Sequence, residues 1–135
     1  MKQIEVVAAI IVFDGQILCM QRGYAEQEYI SYKFEFPGGK IEAGETKTEA
    51  LRRELWEEMN LQVEITYEDF FMTVNHSYPD FDLTMHSYVC HVESKEFVCK
   101  EHIDFKWLYP EELNCVDWAA ADYPIVEKLM VMSLC

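Results

Sequence analysis

Glu54, Glu57 and Glu58 stand three and four positions apart, the spacing that brings side chains onto one face of a helix. Carboxylates gathered in this way repel one another unless a cation sits among them. Hard divalent cations such as Mg²⁺ take oxygen ligands and are held by a few carboxylates together with substrate phosphates. The patch therefore predicts a metal, and the metal predicts a phosphate ester or anhydride. The same charges also fit a solvated helix face braced by ion pairs, with Arg53 and Glu57 at i and i+4.

The flanking residues separate these readings. From Gly39 the chain runs five residues to Glu45 and seven more to Arg53-Glu54-Leu55-Trp56-Glu57-Glu58-Met59-Asn60-Leu61. This pattern resembles the Nudix box of the Nudix hydrolases: Gly, Glu, Arg-Glu, an aliphatic residue, Glu-Glu, Gly and a final aliphatic residue at fixed spacing. Every fixed position matches except Asn60, which stands where the family has glycine. That position ends the helix, where a left-handed backbone is wanted and Asn is the usual second choice.

The resemblance covers essentially the whole chain. It implies an α/β protein of the Nudix fold, a mixed β-sheet sandwiched between helices (α/β/α), as a single domain over 1–135. Nudix hydrolases cleave nucleoside diphosphates linked to another moiety, with water as nucleophile and Mg²⁺ or Mn²⁺ as electrophile. A pyrophosphate linkage resists attack because its oxygens are already negative, and a metal that offsets that charge and acidifies water answers both difficulties.

By match to the motif, Glu54, Glu57 and Glu58 are metal ligands and the Gly38 carbonyl a further one. Glu45 and Arg53, together with Gly39, orient those carboxylates. Lys40 follows the glycines and is placed to meet phosphates, as is Arg22 at the end of a strand; for Arg22 a plain surface position is the alternative. Glu101, in Lys100-Glu101-His102, falls where related enzymes carry a carboxylate that binds metal or serves as general base. A surface loop acid is the other reading of Glu101, and Glu54 is its competitor as base.

The remaining segments resemble the MutT-like branch, whose members convert nucleoside triphosphates to monophosphate and pyrophosphate. In that branch the residue two before the final proline reads the base edge; here it is Asp122. A carboxylate accepts from an exocyclic amine such as cytosine N4, and the cytidine triphosphate members are the closer likeness. Oxidised guanine nucleotides are the main rival, and capping of the last helix is the alternative role for Asp122. Tyr78 and Pro79 lie near markers of dinucleotide polyphosphate and ADP-ribose enzymes, but Tyr-Pro-Asp is also ordinary turn chemistry. A domain that senses nucleotides without cleaving them would have lost box glutamates; this chain keeps them.

The elements that must position these residues follow from pattern. Val6 to Phe13 is an unbroken apolar run, expected as a strand buried on both faces. Asp14-Gly15 signals a hairpin returning through Gln16 to Gln21. Tyr24 to Tyr32 reads as a mobile loop, and Lys33 to Phe36 as a short strand entering the Pro37-Gly38-Gly39 turn. Thr46 and Glu49 form a capping box for a helix whose stripe Ala50, Leu51, Leu55 and Met59 packs on the sheet. Further strands are expected at Gln62–Tyr67, Phe70–His76, Leu83–Val92 and Ile103–Leu108. A helical turn at Pro110–Leu113 and a helix at Pro124–Met132 with proline at its first position complete the chain.

Composition narrows the partners. Lys and Arg number 11 against 25 Asp and Glu, for a net charge of −14. So acidic a surface disfavours nucleic acid or anionic membrane as partner and makes polyphosphate binding depend on bridging cations. Five cysteines without a Cys-x-x-Cys pair argue against a zinc or disulfide framework. No signal-peptide pattern or apolar run of about 20 residues is present. The expectation is a cytoplasmic enzyme, monomer or homodimer, whose partner is its nucleotide substrate.

Overall fold

The computed structural model describes residues 1–132. Its centre is strand β1 (Lys2–Phe13), whose residues Val7 to Val12 are all buried. Because side chains alternate across a strand, this run feeds two cores. Ala8, Ile10 and Val12 pack with Ile17, Trp118, Ile125 and Leu129 on one face. Val7, Ala9 and Ile11 pack with Leu18, Met20, Leu51, Leu55 and Met59 on the other. Helix α1 (Lys47–Met59) covers the second face, and α2 (Tyr123–Met130) with its preceding 3-10 turns covers the first. The expected α/β/α sandwich is what forms.

The sheet is mixed. Strand β6 (Phe81–His91) runs parallel to β1 in unbroken register from Lys2↔Phe81 to Val12↔His91, and β5 (Phe70–Tyr78) closes that edge antiparallel to β6. The other edge of β1 is shared. Its C-terminal end pairs with β2 (Gln16–Gln21) through the Asp14-Gly15 turn, both residues having positive φ as the tight hairpin requires. Its N-terminal half pairs instead with β4 (Gly38–Lys40). Strand β2 carries β3 (Phe34–Glu35) and β7 (Asp104–Leu108). The sheet therefore forks beside β1, and the Pro37-Gly38-Gly39 turn runs through the fork. A Cβ on Gly38 would lie 1.9 Å from the Val7 carbonyl oxygen, so only glycine fits there.

Helix α1 begins as its sequence demands. Thr46 Oγ1 accepts from the Glu49 amide at 3.2 Å, and the Thr46 amide donates to Glu49 Oε1 at 2.8 Å. Its buried residues are Ala50, Leu51, Leu55 and Met59, which leaves Glu54, Glu57 and Glu58 on the flank that faces β4. The helix ends at Asn60 in the left-handed conformation, φ 52° and ψ 32°.

Two expectations need correction. Gln62–Tyr67 forms no strand; it passes in irregular form into a 3-10 turn at Tyr67–Asp69. Ile65 is fully buried against α1, and Arg52 Nη1 donates to its carbonyl at 2.8 Å, so a side chain takes the place of a strand partner. The last helix starts at Tyr123 and ends at Met130, so Pro124 is its second residue and Met132 lies beyond it. Residues 24–32 form neither helix nor strand, as a loop requires. No helix of the described residues is long and apolar enough to cross a membrane.

Leu51 is fully buried between α1 and the sheet. Leu51→Ala is expected to cost about 2–5 kcal/mol, read as a lower midpoint in urea unfolding with an unchanged slope. A loss well under 1 kcal/mol would mean that the helix does not depend on this contact.

Candidate active site

Arg53 organises the acidic flank of α1. Its Nε and Nη2 donate to Glu45 Oε2 and Oε1 at 2.6 and 2.9 Å, a bidentate pair. Its Nη1 donates to Glu54 Oε1 at 2.9 Å and to Glu57 Oε2 at 3.3 Å, while Nη2 also reaches the Lys40 carbonyl at 3.0 Å. One rigid guanidinium thus ties the helix to β4 and to the loop before the helix. Hydrogen bonding to Arg53 holds the Glu45 carboxyl below its usual pKa. The side chains of Glu45 and Glu54 are 18% and 14% exposed, whereas Glu57 is 58% exposed. Glu57 is the wet member of the set.

Glu58 has no such cation. Its Oε2 is the one buried side-chain oxygen or nitrogen without a hydrogen-bond partner among the described residues. Burial first, then the neighbouring Glu54, with which it can share a proton, and the charges of Glu101 and Glu35 push its pKa up to about 8. A buried acceptor left unpaired is costly, and a divalent cation with oxygen preference would satisfy it. Gly39 shows how closely the parts approach: a Cβ there would lie 2.4 Å from the Glu54 carboxyl carbon. Among the described residues, no three acidic or imidazole side chains enclose a metal by themselves. That agrees with a cation completed by backbone, water and substrate phosphate, the usual habit of Mg²⁺. The donor set fits the metal.

A family model described as NUDIX domain matches residues 1–129. The chain belongs to the Nudix family. It is 36% identical to the CTP pyrophosphohydrolase of Escherichia coli (strain K12), with 98% of this chain and 95% of that protein covered. It is 30% identical to the 8-oxo-dGTP diphosphatase of the same organism, over 96% and 98% of the two chains. Among solved structures, that of the E. coli ORF135 protein matches at TM-score 0.78 with 34% identity, covering 96% of this chain and 90% of that one. The MutT Nudix hydrolase of methicillin-resistant Staphylococcus aureus 252 matches at TM-score 0.73 and 38% identity, over 96% and 98%. Both the Nudix fold and the MutT-like branch expected from the sequence are borne out. Nudix hydrolases are enzymes that use divalent metals.

Beside the box lies a cavity of about 210 Å³ whose lining includes Val6, Phe81, Leu83 and Met85 on its apolar side and Arg22, Glu35 and Asp122 on its polar side. Gly38 and Gly39 also line it, so the fork in the sheet joins this cavity to the carboxylate patch. Asp122 occupies the residue before α2 but makes no capping hydrogen bond. Its Oδ1 instead accepts from the Phe36 amide at 3.1 Å, and burial with Glu35 nearby raises its pKa well above the ordinary carboxyl value. The capping role for Asp122 is therefore not what the side chain does. Tyr78 spends its hydroxyl on the Ala121 amide at 3.0 Å and stacks on Tyr29, as a wall of the cavity.

The other expected residues fall unevenly. Arg22 lines the cavity and pairs with Glu35 Oε1 at 3.4 Å. Glu101 is exposed, yet near enough to raise the Glu58 pKa. Lys40 is exposed, and its defined bond is the carbonyl to Arg53. Two residues escaped the sequence reading: Glu35, and His102, whose Nε2 meets Glu35 Oε2 at 2.9 Å. Alternation in Phe34-Glu35-Phe36, with Phe34 and Phe36 buried, was the available sign that Glu35 faces the other way.

Without metal, the folded protein keeps a proton on Glu58 up to about pH 8, whereas the unfolded chain releases it near the ordinary value of 4.5. Stability from this group is therefore complete below about 4.5 and is lost as pH rises through about 8. The metal-free wild type should lose thermal stability relative to Glu58→Gln across that interval. A divalent cation should reverse the trend, binding more tightly as pH rises because it competes with the proton. Melting curves of both proteins with and without metal check this, and a pH-independent difference would contradict it.

Proposed function

We propose that the chain hydrolyses a cytidine-type (deoxy)nucleoside triphosphate to the monophosphate and pyrophosphate, with Mg²⁺, or Mn²⁺ in its place. The observation that carries this reading is the buried, unpartnered Glu58 Oε2 beside Glu54, next to a base-sized cavity ending on Asp122. The names of the two E. coli relatives support a nucleoside triphosphate as substrate. Clearing unwanted nucleotides from the pool is the role that fits.

Glu54, Glu57 and Glu58, with the Gly38 carbonyl, would hold the cation, and Glu101 would close the set from its loop. When bound, the cation offsets phosphate charge and lowers the pKa of the attacking water. Arg53 and Glu45 fix the direction of Glu54 and Glu57. Arg22 and Lys40 offer positive charge to the phosphates. Glu101 takes the proton from the attacking water as the new oxygen–phosphorus bond forms and the anhydride bond breaks; Glu54 is the rival for that step. The apolar wall receives the base while Asp122 meets its edge. Free thiols at Cys19, Cys90, Cys99 and Cys115 support a reducing, cytoplasmic setting.

Glu54→Gln and Glu58→Gln should each lower kcat by orders of magnitude while the fold persists, since the chemistry needs charge and not shape. Loss of a metal ligand removes several kcal/mol of transition-state stabilisation. Retention of more than about a tenth of wild-type kcat, roughly 1.4 kcal/mol, would remove that residue from the site. Activity should vanish in excess chelator and rise toward alkaline pH.

Asp122 discriminates the substrates. If it reads an amine edge, cytidine triphosphates are preferred over uridine triphosphate, and Asp122→Ala lowers that ratio about tenfold, the scale of one charged hydrogen bond. Metal dependence stays as in wild type. The raised pKa of Asp122 favours a second reading, 8-oxo-dGTP, because a neutral acid can donate to the guanine carbonyl and still accept. Comparing kcat/KM for 8-oxo-dGTP and dCTP on the wild type separates them. A preference for uridine, or an unchanged ratio in the variant, would remove Asp122 from base recognition.

A further inference from the structure

Position 60 is the one place where the box departs from the family pattern, and the structure gives its side chain an occupation that glycine cannot have. Asn60 Oδ1 accepts from Lys100 Nζ at 2.7 Å, and the same ammonium donates to the Glu57 carbonyl at 3.3 Å. Helix α1 has no basic residue in its own last turn. Lys100 supplies that charge from another segment, at the end where unpaired carbonyls attract cations. It immediately precedes Glu101.

The stretch from Val92 to Ile103 contains neither helix nor strand, so a few attachments fix it. The Val98 amide donates to the Met59 carbonyl at 2.9 Å, again at the end of α1. On the far side of Glu101, His102 meets Glu35, and the Ile103 amide donates to the Gln21 carbonyl at 3.0 Å. Glu101 thus hangs between two anchors, one on α1 through Lys100 and one on β2 and β3 through His102 and Ile103. Removing the Asn60 acceptor leaves the Lys100 ammonium with a single long bond to a backbone carbonyl, and Val98, three residues before Glu101, as the nearest firm attachment on that side.

We propose that Asn60 and Lys100 form a clamp that positions Glu101 against Glu58, making Asn60, which stands where the family pattern has glycine, a positioning residue. The catalytic half of this inference rests on the role given to Glu101 above. Asn60 tolerates its left-handed backbone, and glycine tolerates it better, so Asn60→Gly removes the acceptor without straining the fold.

The test compares Asn60→Gly, Asn60→Asp, Lys100→Met, Glu101→Gln and the double variant Asn60→Gly/Glu101→Gln. Hydrogen exchange of amides 96–102 is read without metal, Mn²⁺ binding by titration, and kcat and KM with CTP. Asn60→Gly and Lys100→Met should melt close to wild type, exchange several-fold faster in 96–102 and bind Mn²⁺ more weakly. Their kcat should fall by about tenfold to a hundredfold, the scale of an ångström's misplacement, with KM nearly unchanged. Asn60→Asp, which keeps an acceptor, should restore protection and most of kcat. In the double variant, Asn60→Gly should add nothing to the loss from Glu101→Gln.

Unchanged exchange in Asn60→Gly would overturn the clamp, whatever the activity. Full additivity in the double variant would overturn action through Glu101. Wild-type kcat in Glu101→Gln would instead refute the role given to Glu101, and the exchange data would still judge the clamp.

Discussion

Everything at this site depends on one unequal division of charge. Five carboxyl groups of the region, those of Glu42, Glu45, Glu54, Glu57 and Glu58, gather around α1, and Arg53 is paired with the first four. The guanidinium is half of a bidentate pair with Glu45, so its direction is fixed before Glu54 is considered. Glu58 receives nothing from it. Were a second basic side chain packed beside Glu58, the buried oxygen would be satisfied and the surface would be inert. The sequence instead leaves Glu54 oriented and Glu58 in need. That is the condition under which burying like charges serves a metal and not stability.

The sheet makes this possible by splitting. Strand β1 gives one end of its edge to β2 and the other to β4, and the gap between them admits the Pro37-Gly38-Gly39 turn. Each glycine answers a separate constraint: Gly38 lies against the β1 backbone, and Gly39 lies against the Glu54 carboxyl. The same turn borders the cavity that ends on Asp122. The carboxylate patch and the cavity are thus adjacent because one strand changes partner, and no long loop is needed to bring them together.

Much of this was legible in sequence, for identifiable reasons. The capping box, the stripe on α1 and the Asp14-Gly15 turn are local signals, and local geometry obeyed them. The Nudix box fixes spacing within one helix and one turn, so the convergence of Glu54 and Glu58 could be read directly. Gln62–Tyr67 misled because apolar alternation says that a segment is half buried, not that it has a strand partner; Arg52 supplies the bond to Ile65 that a ladder would have. The pairings of Glu35 with His102 and of Asn60 with Lys100 join residues 67 and 40 positions apart. No periodicity reports such contacts. Asn60 could be understood as a tolerated helix end, whereas its bond to Lys100 belongs to the tertiary fold.

The cavity's polar end poses a narrower physical question than a carboxylate facing an amine. Asp122 is 5% exposed, its Oδ1 already serves the Phe36 amide, and Glu35 adds a like charge nearby. Desolvation therefore favours the neutral acid until a ligand arrives. An amine-bearing base must then either draw the proton off or accept the acid as a mixed donor and acceptor. A base with a carbonyl beside a ring N–H is met by the neutral form without any proton leaving. Burial dominates; Arg22, paired with Glu35 at 3.4 Å, opposes it only weakly through its charge. Drawing Arg22 toward the phosphates would remove that opposition and leave Glu35 with His102 as its remaining partner, so that its charge bears more fully on Asp122. Under the roles proposed for Arg22 and Asp122, binding of the triphosphate tail would therefore hold Asp122 in its neutral form, coupling the two ends of the site electrostatically.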